Sequence, residues 1–548
     1  MIVKNYPYRD AYAARIAPFQ LRVTRREPVK TERTDEGYIF DFGAETVGDF
    51  CFRAEGAGTA RVRYGEYYEE IFSDPAVLAV EWFRTPSDKF AIDGAAECRS
   101  DGRRAFRYAR VFGEGFKITD AWANEESYPF GPAATFRCSD ERLNRVWEIC
   151  ERATQLCSQQ YFEDGIKRDG LLWIGDARVQ AQCVYALYGD TALARKSLYL
   201  FAASMRGDGR MPSNAILGGA HIHPEKINYM FDYVRKREVS GIPEFYSGCG
   251  EIYYLTYACD FISMLWEYYF YSGDLQTVKE LFPVAAADMR YVCDTVGEKT
   301  DGLLLFPTAR DLSAGGRIDT LGDNAAYFSC LARALGDYAR LAAAVGDEGE
   351  RDGAERRRGK FLALIRKKYL DPRGYLRAED YRGGRIVSLS AQSLGHLCGI
   401  LDEESARGAF QSAANDPDCA APIDGMSRYH VYRGMFEAGL GETALDCIRD
   451  CWGYMSDKGA TACWEKLDTR RPDLVEGDAT ISRCHGWSAG PAALFARYLL
   501  GARQTEPGGA VEAKPSLHGL DFVEGAIPTL RGELRVYADR RGARAVLQ

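Results

Sequence analysis

The residues best equipped for chemistry lie in Phe162–Ala177, which reads F-E-D-G-I-K-R-D-G-L-L-W-I-G-D-A. Asp164, Asp169 and Asp176 share this stretch with Lys167, Arg168 and Trp173, and Gly165 and Gly170 argue against one unbroken helix. Ile166, Leu171, Leu172 and Ile174 alternate with the polar groups, so a loop packed on a core is expected, presenting carboxylates into a cavity. Paired carboxylates beside a tryptophan suit sugar chemistry, one acid protonating a leaving oxygen while an aromatic face stacks on a ring. The plainer reading is a helix entry with capping aspartates and surface charge, and for an arbitrary run of this kind that reading has more weight.

A second loaded region shifts the balance. Gly459–Glu465 (G-A-T-A-C-W-E) sets Trp464 beside Glu465, and Ile481–Pro491 (I-S-R-C-H-G-W-S-A-G-P) adds His485 and Trp487. Alone, Glu465 reads as a helix N-terminal residue and His485 as a satisfied buried histidine. Together the two regions supply separated acids, several aromatics and a histidine, the inventory of an inverting glycosidase. In such an enzyme one acid protonates the leaving oxygen and the opposite carboxylate activates water, the two standing about 6.5–9.5 Å apart.

The elements that must position these residues follow from periodicity. Alternation in Gly37–Phe42, Val47–Arg53, Thr59–Tyr64 and Phe106–Phe112, broken by glycine turns, makes residues 1–133 an N-terminal β-sandwich. Near Phe136 the pattern becomes helical, with Ser139 as cap and Asp140 and Glu141 in the first turn. Tyr188-Gly189-Asp190, Ser272-Gly273-Asp274 and Val345-Gly346-Asp347 repeat one punctuation, glycine ending a helix and aspartate capping the next. Stacked αα-hairpins produce that grammar, and residues 134–503 are expected to form a closed (α/α)6 barrel rather than an open solenoid. Arg503–Glu512 reads as a linker, and residues 504–548 as a small C-terminal β-domain packed on what precedes it. The fold class is thus mainly α with flanking β.

Composition narrows the partners. The 548 residues are 46% hydrophobic, 12% aromatic and 27% charged, as in a globular protein with a large core, and the net charge of −9 comes without any basic block. Nucleic acid and anionic membranes are therefore not expected as partners, and no apolar run is long enough to span a bilayer. The sixteen cysteines include no C-x-x-C, and Cys447 and Cys451 lack companions for zinc. Cys150, Cys157, Cys183 and Cys259 read as reduced core residues. The first residues lack the apolar core of a signal peptide, so a cytoplasmic protein is expected, as monomer or homodimer. No metal and no cofactor is expected. His221 and His223 read as a loop, Glu244 and Glu251 as cavity lining or a helix N-terminus, Arg310–Asp319 as a loop in which substrate contact by Asp311 is the lesser alternative, and Glu350–Lys360 as a solvated helix face.

Three motifs in order, Asp164–Asp176, Gly459–Glu465 and Cys484–Pro491, with H-G-L-D-F-V-E-G-A-I-P-T from His518, resemble the α-L-rhamnosidases of glycoside hydrolase family 78 over nearly the whole chain. The resemblance implies hydrolysis of terminal non-reducing α-L-rhamnose with inversion. It implies Asp169 as general acid, Glu465 as the base that activates water, and Asp164 and Asp176 as carboxylates holding sugar hydroxyls. It further implies Trp173 as a wall of the sugar pocket and His485 as a sugar contact, with Arg168 and Trp464 in the same pocket. Better-studied members carry glutamate where Asp169 stands, which leaves open a re-shaped pocket, a different substrate or weak activity. A working acid must be protonated, so Lys167 is expected to point away from Asp169. The rival readings are a polysaccharide lyase recruiting Tyr229, His221, His223 and Arg168, and a carbohydrate-binding relative that has lost catalysis.

Overall fold

The computed structural model describes residues 7–8, 10–73, 87–167, 170–215, 246–247, 251–252, 254–296, 324–379, 385–476, 478 and 481–548. Arg168, Asp169, His221, His223, Tyr229, Glu244 and Arg310–Asp319 lie outside them, as does the side chain of Glu251.

The N-terminal region is β-rich. Strands β1 (Arg22–Arg26), β2 (Lys30–Thr34), β3 (Gly37–Gly65), β4 (Ser87–Arg99), β5 (Arg104–Phe112) and β6 (Phe116–Ser127) form one antiparallel hydrogen-bonded network. The three segments separated on paper by glycine turns are one long run, β3, which bends instead of reversing. Its register shifts between Asp41 and Thr46 and again after Gly48, so successive stretches pair with β2, β5, β6 and β4. Phe40, Phe42, Phe50, Phe52, Tyr64 and Phe106 fill a core of its own between the turns of this strand.

The middle of the chain is helical. The helices are α1 (Glu141–Cys157), α2 (Ile174–Tyr188), α3 (Ala192–Ser204), α4 (Leu255–Ser272), α5 (Leu275–Val296) and α6 (Asn324–Val345). There follow α7 (Glu348–Lys368), α8 (Leu389–Leu397), α9 (Glu403–Ala414), α10 (Gly425–Glu437), α11 (Gly441–Ile448) and the short α12 (Gly490–Leu494). Among the described residues α2, α4, α6, α8, α10 and α12 pack each against the next, and α12 returns to α2; each odd-numbered helix packs against at least one member of this series. α2 and α10 are buried on nearly every face, whereas α7 buries only Ala354, Phe361 and Ile365, as a solvated outer helix should. The Gly-Asp punctuation works as read: Gly189, Gly273 and Gly346 have φ of 63°, 71° and 83°. Asp190, Asp274 and Asp347 each accept a backbone N–H from the first turn of the next helix.

Inside the ring, charges pair across helices. Glu267 of α4 accepts Arg178 of α2 at 2.9 and 2.8 Å, Arg333 of α6 at 3.0 Å and Arg433 of α10 at 3.3 Å. Burial pushes this carboxyl up, but the three guanidiniums, Arg178 foremost, outweigh it and hold Glu267 well below the usual carboxylate range.

Two local expectations need correction. Asp140, not Ser139, caps α1, its Oδ1 accepting Arg142 N at 2.9 Å; the Ser139 hydroxyl accepts Asp521 N from the C-terminal strands instead. Aspartate has the extra acceptor and the favourable charge at a helix N-terminus, and Ser139 is drawn into a sheet contact. The segment read as a linker is a hairpin, Ala502–Gln504 pairing with Val511–Ala513. Beyond it β8 (Phe522–Thr529), β9 (Gly532–Asp539) and β10 (Gly542–Leu547) form a sheet that takes β7 (Thr135–Cys138) as its fourth strand. Val523, Ile527, Leu534 and Val536 join the core of the helices, so these strands do not stand alone.

Candidate active site

The three motifs meet on one side of α2. The first leaves α1 at Ser158, has its described residues up to Lys167 and from Gly170 outside helices, with Gly170 at φ 70°, and enters α2 at Ile174. Ile166, Leu171, Leu172 and Ile174 are buried, anchoring the loop as the alternation requires. The third motif docks against it in a short antiparallel pairing of Gly165 with His485, where Ile166 N donates to Cys484 O at 3.3 Å and Gly486 N to Asp164 O. On its other edge the third motif holds the second: His485 N donates to Cys463 O and Glu465 N to Ser482 O, both at 2.9 Å. Cys484–Pro491 is therefore the central rung joining two segments some 300 residues apart in sequence. Glu465 sits at a bend just before the Lys466 bridge and not at a helix N-terminus.

The packing is close because small residues permit it. A Cβ on Gly175 would lie 2.6 Å from the Tyr257 ring and 2.7 Å from Met426 Sδ, so α2 can start against α4 and α10 only with glycine there.

His485 stands between two of the aspartates. Its Nε2 is 3.7 Å from Asp164 Oδ2 and its Nδ1 3.9 Å from Asp176 Oδ1, all three side chains being buried. The other oxygen of Asp164 accepts Leu171 N at 2.9 Å, closing the loop on itself. Asp176 Oδ2 accepts the Tyr257 hydroxyl at 3.4 Å. The Trp487 ring lies tilted against His485, centroids 4.5 Å apart. Trp173, half-buried, faces Tyr254 and Tyr257 with ring centroids 6.3 Å away from each. Glu465 Oε2 accepts Ser482 N at 3.1 Å, and its backbone carbonyl accepts Trp487 Nε1 at 2.7 Å. One face of Trp464 is covered by the Arg483 guanidinium at 4.3 Å, which leaves at most the opposite face for a sugar. The structure thus gathers Asp164, Trp173, Asp176, Trp464, Glu465 and His485, while Arg168 and Asp169 fall outside the described residues.

The sequence reading missed the N-terminal contribution. At the end of β3, G-E-Y-Y-E-E (Gly65–Glu70) sends Glu66 and Glu70 under the site, where Lys167 Nζ pairs with Glu66 Oε2 at 2.7 Å and Glu70 Oε1 at 3.0 Å. That gives Lys167 the anionic partners its burial demands; its relation to Asp169 lies outside the described residues. Arg103 pairs with Glu163 across the same seam. A density of acids and aromatics directly after a strand was the signal available. Tyr254 and Tyr257, from α4 and its entry, were missed as well, for want of any motif.

Glu45 belongs to this seam. Its backbone N–H donates to Thr461 Oγ1 at 3.0 Å, and Oε2 has no hydrogen-bond partner among the described residues. Burial first, then the charge of Glu66 and the neighbouring Cys484, raise its carboxyl well above the ordinary 4.5, with Lys167 opposing and Glu70 adding. The folded protein therefore keeps a proton that the unfolded chain releases, so stability falls as pH rises from 4.5 toward the raised folded value. Glu45→Gln, which has no proton to lose, should gain melting temperature relative to the parent across that window. Parallel melting curves against pH would mean that Glu45 ionises normally in the fold.

Among the described residues no group of three or more His, Cys, Asp or Glu side chains could hold a metal ion, and no helix is long and apolar enough to cross a membrane.

Two segments of the chain, and its fold, are similar to known proteins. Residues 132–225 match the bacterial alpha-L-rhamnosidase 6 hairpin glycosidase domain, and residues 6–111 match the alpha-rhamnosidase-like N-terminal domain described from bacteroidetes. The fold is similar to a rhamnosidase from Klebsiella oxytoca with rhamnose bound (TM-score 0.75, 21% identity, 90% of this chain and 99% of that one). It is also similar to a family GH78 rhamnosidase of Bacillus sp. GL1 (TM-score 0.74, 23% identity, 95% and 52%). A third similar structure is the Streptomyces avermitilis α-L-rhamnosidase complexed with L-rhamnose (TM-score 0.72, 17% identity, 96% and 48%). The chain therefore spans nearly all of the first of these structures and about half of the other two. No curated protein sequence matches it. Residues 132–225 thus resemble part of a bacterial α-L-rhamnosidase six-hairpin domain, and the chain shares the fold of these structures.

Proposed function

We propose that this protein is a glycosidase, an inverting exo-hydrolase of terminal α-L-rhamnose. The observation that carries the reading is the convergence of Asp164, Asp176, His485 and Glu465 beside Trp173, held together by the central rung in a chain whose residues 132–225 match the rhamnosidase domain. In this reading Glu465 removes a proton from the attacking water and Asp169 donates one to the leaving oxygen. Asp164 and Asp176 accept from sugar hydroxyls, His485 contacts the ring between them, Trp173 and Trp464 wall the pocket, and Arg168 binds substrate in the same pocket. The domains would be an N-terminal β-sandwich over 1–133, an (α/α)6 barrel over 134–503 and a C-terminal β-domain over 504–548. A ring of six described inner helices supports the barrel assignment.

A cytoplasmic monomer or homodimer, acting without metal or cofactor, completes the proposal. In support of a reducing compartment, the described cysteines are all free, although Cys150 and Cys463 sulfurs lie only 3.6 Å apart and those of Cys157 and Cys484 4.0 Å.

The decisive experiment incubates the protein with p-nitrophenyl α-L-rhamnoside and rhamnose-capped oligosaccharides and follows the sugar by NMR. β-L-rhamnose appearing first supports inversion, α-L-rhamnose appearing first refutes it, and an unsaturated product would mean a lyase. Trp173→Ala should raise KM about tenfold with little change in kcat, because a stacked aromatic contributes on the order of 1 kcal/mol to binding. An unchanged KM would remove Trp173 from the pocket wall.

A further inference from the structure

Of the N-terminal groups that reach the site, Glu66 is the carboxylate that meets both motif-bearing segments. Glu66 follows β3 directly and its side chain is fully buried. Its Oε1 accepts the Ser482 hydroxyl at 3.2 Å, and its Oε2 accepts both Arg483 N and Lys167 Nζ at 2.7 Å. Ser482 is the residue that grips Glu465 from the opposite side, its N–H donating to Glu465 Oε2 at 3.1 Å and its carbonyl accepting Glu465 N at 2.9 Å. Lys167 belongs to the loop between Asp164 and Trp173. One carboxylate therefore receives donors from both segments that carry the proposed acid and base.

Glu66 is itself fixed. Its N–H donates to Glu70 Oε2 at 2.8 Å, and Gly65 before it is packed so tightly that a Cβ would lie 2.9 Å from Tyr67 O. The Arg483 guanidinium, 5.2 Å from the centroid of Tyr67 as well as 4.3 Å from that of Trp464, closes the seam from the side. A rigid acceptor on a neighbouring domain that meets three donors is a preorganising element, since errors on the order of 1 Å in a catalytic group can cost about 10²-fold in rate.

We propose that Glu66 is a positioning residue for the glycosidase reaction: acting through Ser482 it fixes the carboxylate of Glu465, and through Lys167 it ties the Asp164–Trp173 loop to the same point. This rests on the reading of Glu465 as the base, and it makes the N-terminal domain part of the catalytic apparatus.

The test compares Glu66→Gln with Glu70→Gln in the full chain. An amide at position 66 keeps the shape but presents N–H groups to donors. kcat on p-nitrophenyl α-L-rhamnoside should fall about 10- to 100-fold while KM stays within about threefold. Hydrogen exchange at residues 481–485 should accelerate. Glu70 touches Lys167 and the Glu66 backbone but neither Ser482 nor Arg483; Glu70→Gln should leave the 481–485 exchange at the parent rate. Parent-like exchange and kcat in Glu66→Gln, or equal acceleration in both variants, would overturn the proposal. Should Glu66→Gln not fold, Ser482→Ala removes the hydroxyl contact and keeps both backbone bonds to Glu465; a lowered kcat at constant KM supports the proposal and a parent kcat overturns it. If the parent protein turns over no rhamnoside, the functional reading fails while the exchange comparison still decides the positioning claim.

Discussion

Glu465→Gln should abolish turnover while leaving L-rhamnose binding intact, with kcat falling about 10²–10⁴-fold, the contribution of a positioned general base. The substitution is conservative in space. The backbone at 465 is held by Ser482 O, Trp487 Nε1 and the Ser488 hydroxyl, none of which depends on the carboxylate. An amide oxygen can replace Oε2 as acceptor for Ser482 N. What the glutamine lacks is basicity, so water at the far face of the sugar is no longer activated. Azide, which needs no deprotonation, should restore cleavage of an activated α-L-rhamnoside and give the β-L-rhamnosyl azide, nitrogen taking the place of the departing aryl oxygen. Calorimetry with L-rhamnose, kinetics and NMR of the azide product check the three parts. Turnover at the parent rate would sink the role of Glu465, and an α-azide would sink inversion.

The sequence made the chemistry legible where the chain solves a local problem, and hid it where the solution crosses domains. Helix termini are local: Gly189, Gly273 and Gly346 need left-handed backbone, and the aspartates that follow need only their own next turn. The motif containing Asp164 was readable for a related reason, since burying Ile166, Leu171, Leu172 and Ile174 dictates where the polar groups turn. How the three motifs join was not readable, because the rung of Gly165, His485 and Cys463 is made of backbone hydrogen bonds that any residue could form. Glu66 and Glu70 stayed hidden because carboxylates after a strand ordinarily face water; the cation of Lys167, about a hundred residues on, and the donors of Ser482 and Arg483 make their burial tolerable. The β3 run shows the reverse error. Glycines that look like turns in a list serve as bends when neighbouring strands supply hydrogen-bond partners on both sides, as they do around Gly48 and Gly56.

Asp169→Asn should separate two classes of substrate. If Asp169 protonates the leaving oxygen, hydrolysis of a rhamnosyl disaccharide, whose alcohol cannot leave as an anion, falls about 10²–10⁴-fold. Hydrolysis of p-nitrophenyl α-L-rhamnoside, whose leaving group is already a good one, falls far less. Equal losses on both substrates would remove Asp169 from the acid role and leave it a binding residue. The reverse substitution decides what the short side chain means. Aspartate holds its carboxyl about 1.5 Å further back than glutamate, one carbon–carbon bond. In a pocket shaped for glutamate that offset would depress the disaccharide rate about 100-fold, and Asp169→Glu would recover it. In a pocket re-shaped around aspartate the added methylene would push the acid past the glycosidic oxygen, and Asp169→Glu would lose rate on the disaccharide while sparing the aryl glycoside. The sign of that one change therefore says whether this chain has an acid set back from its work or one built to its own measure.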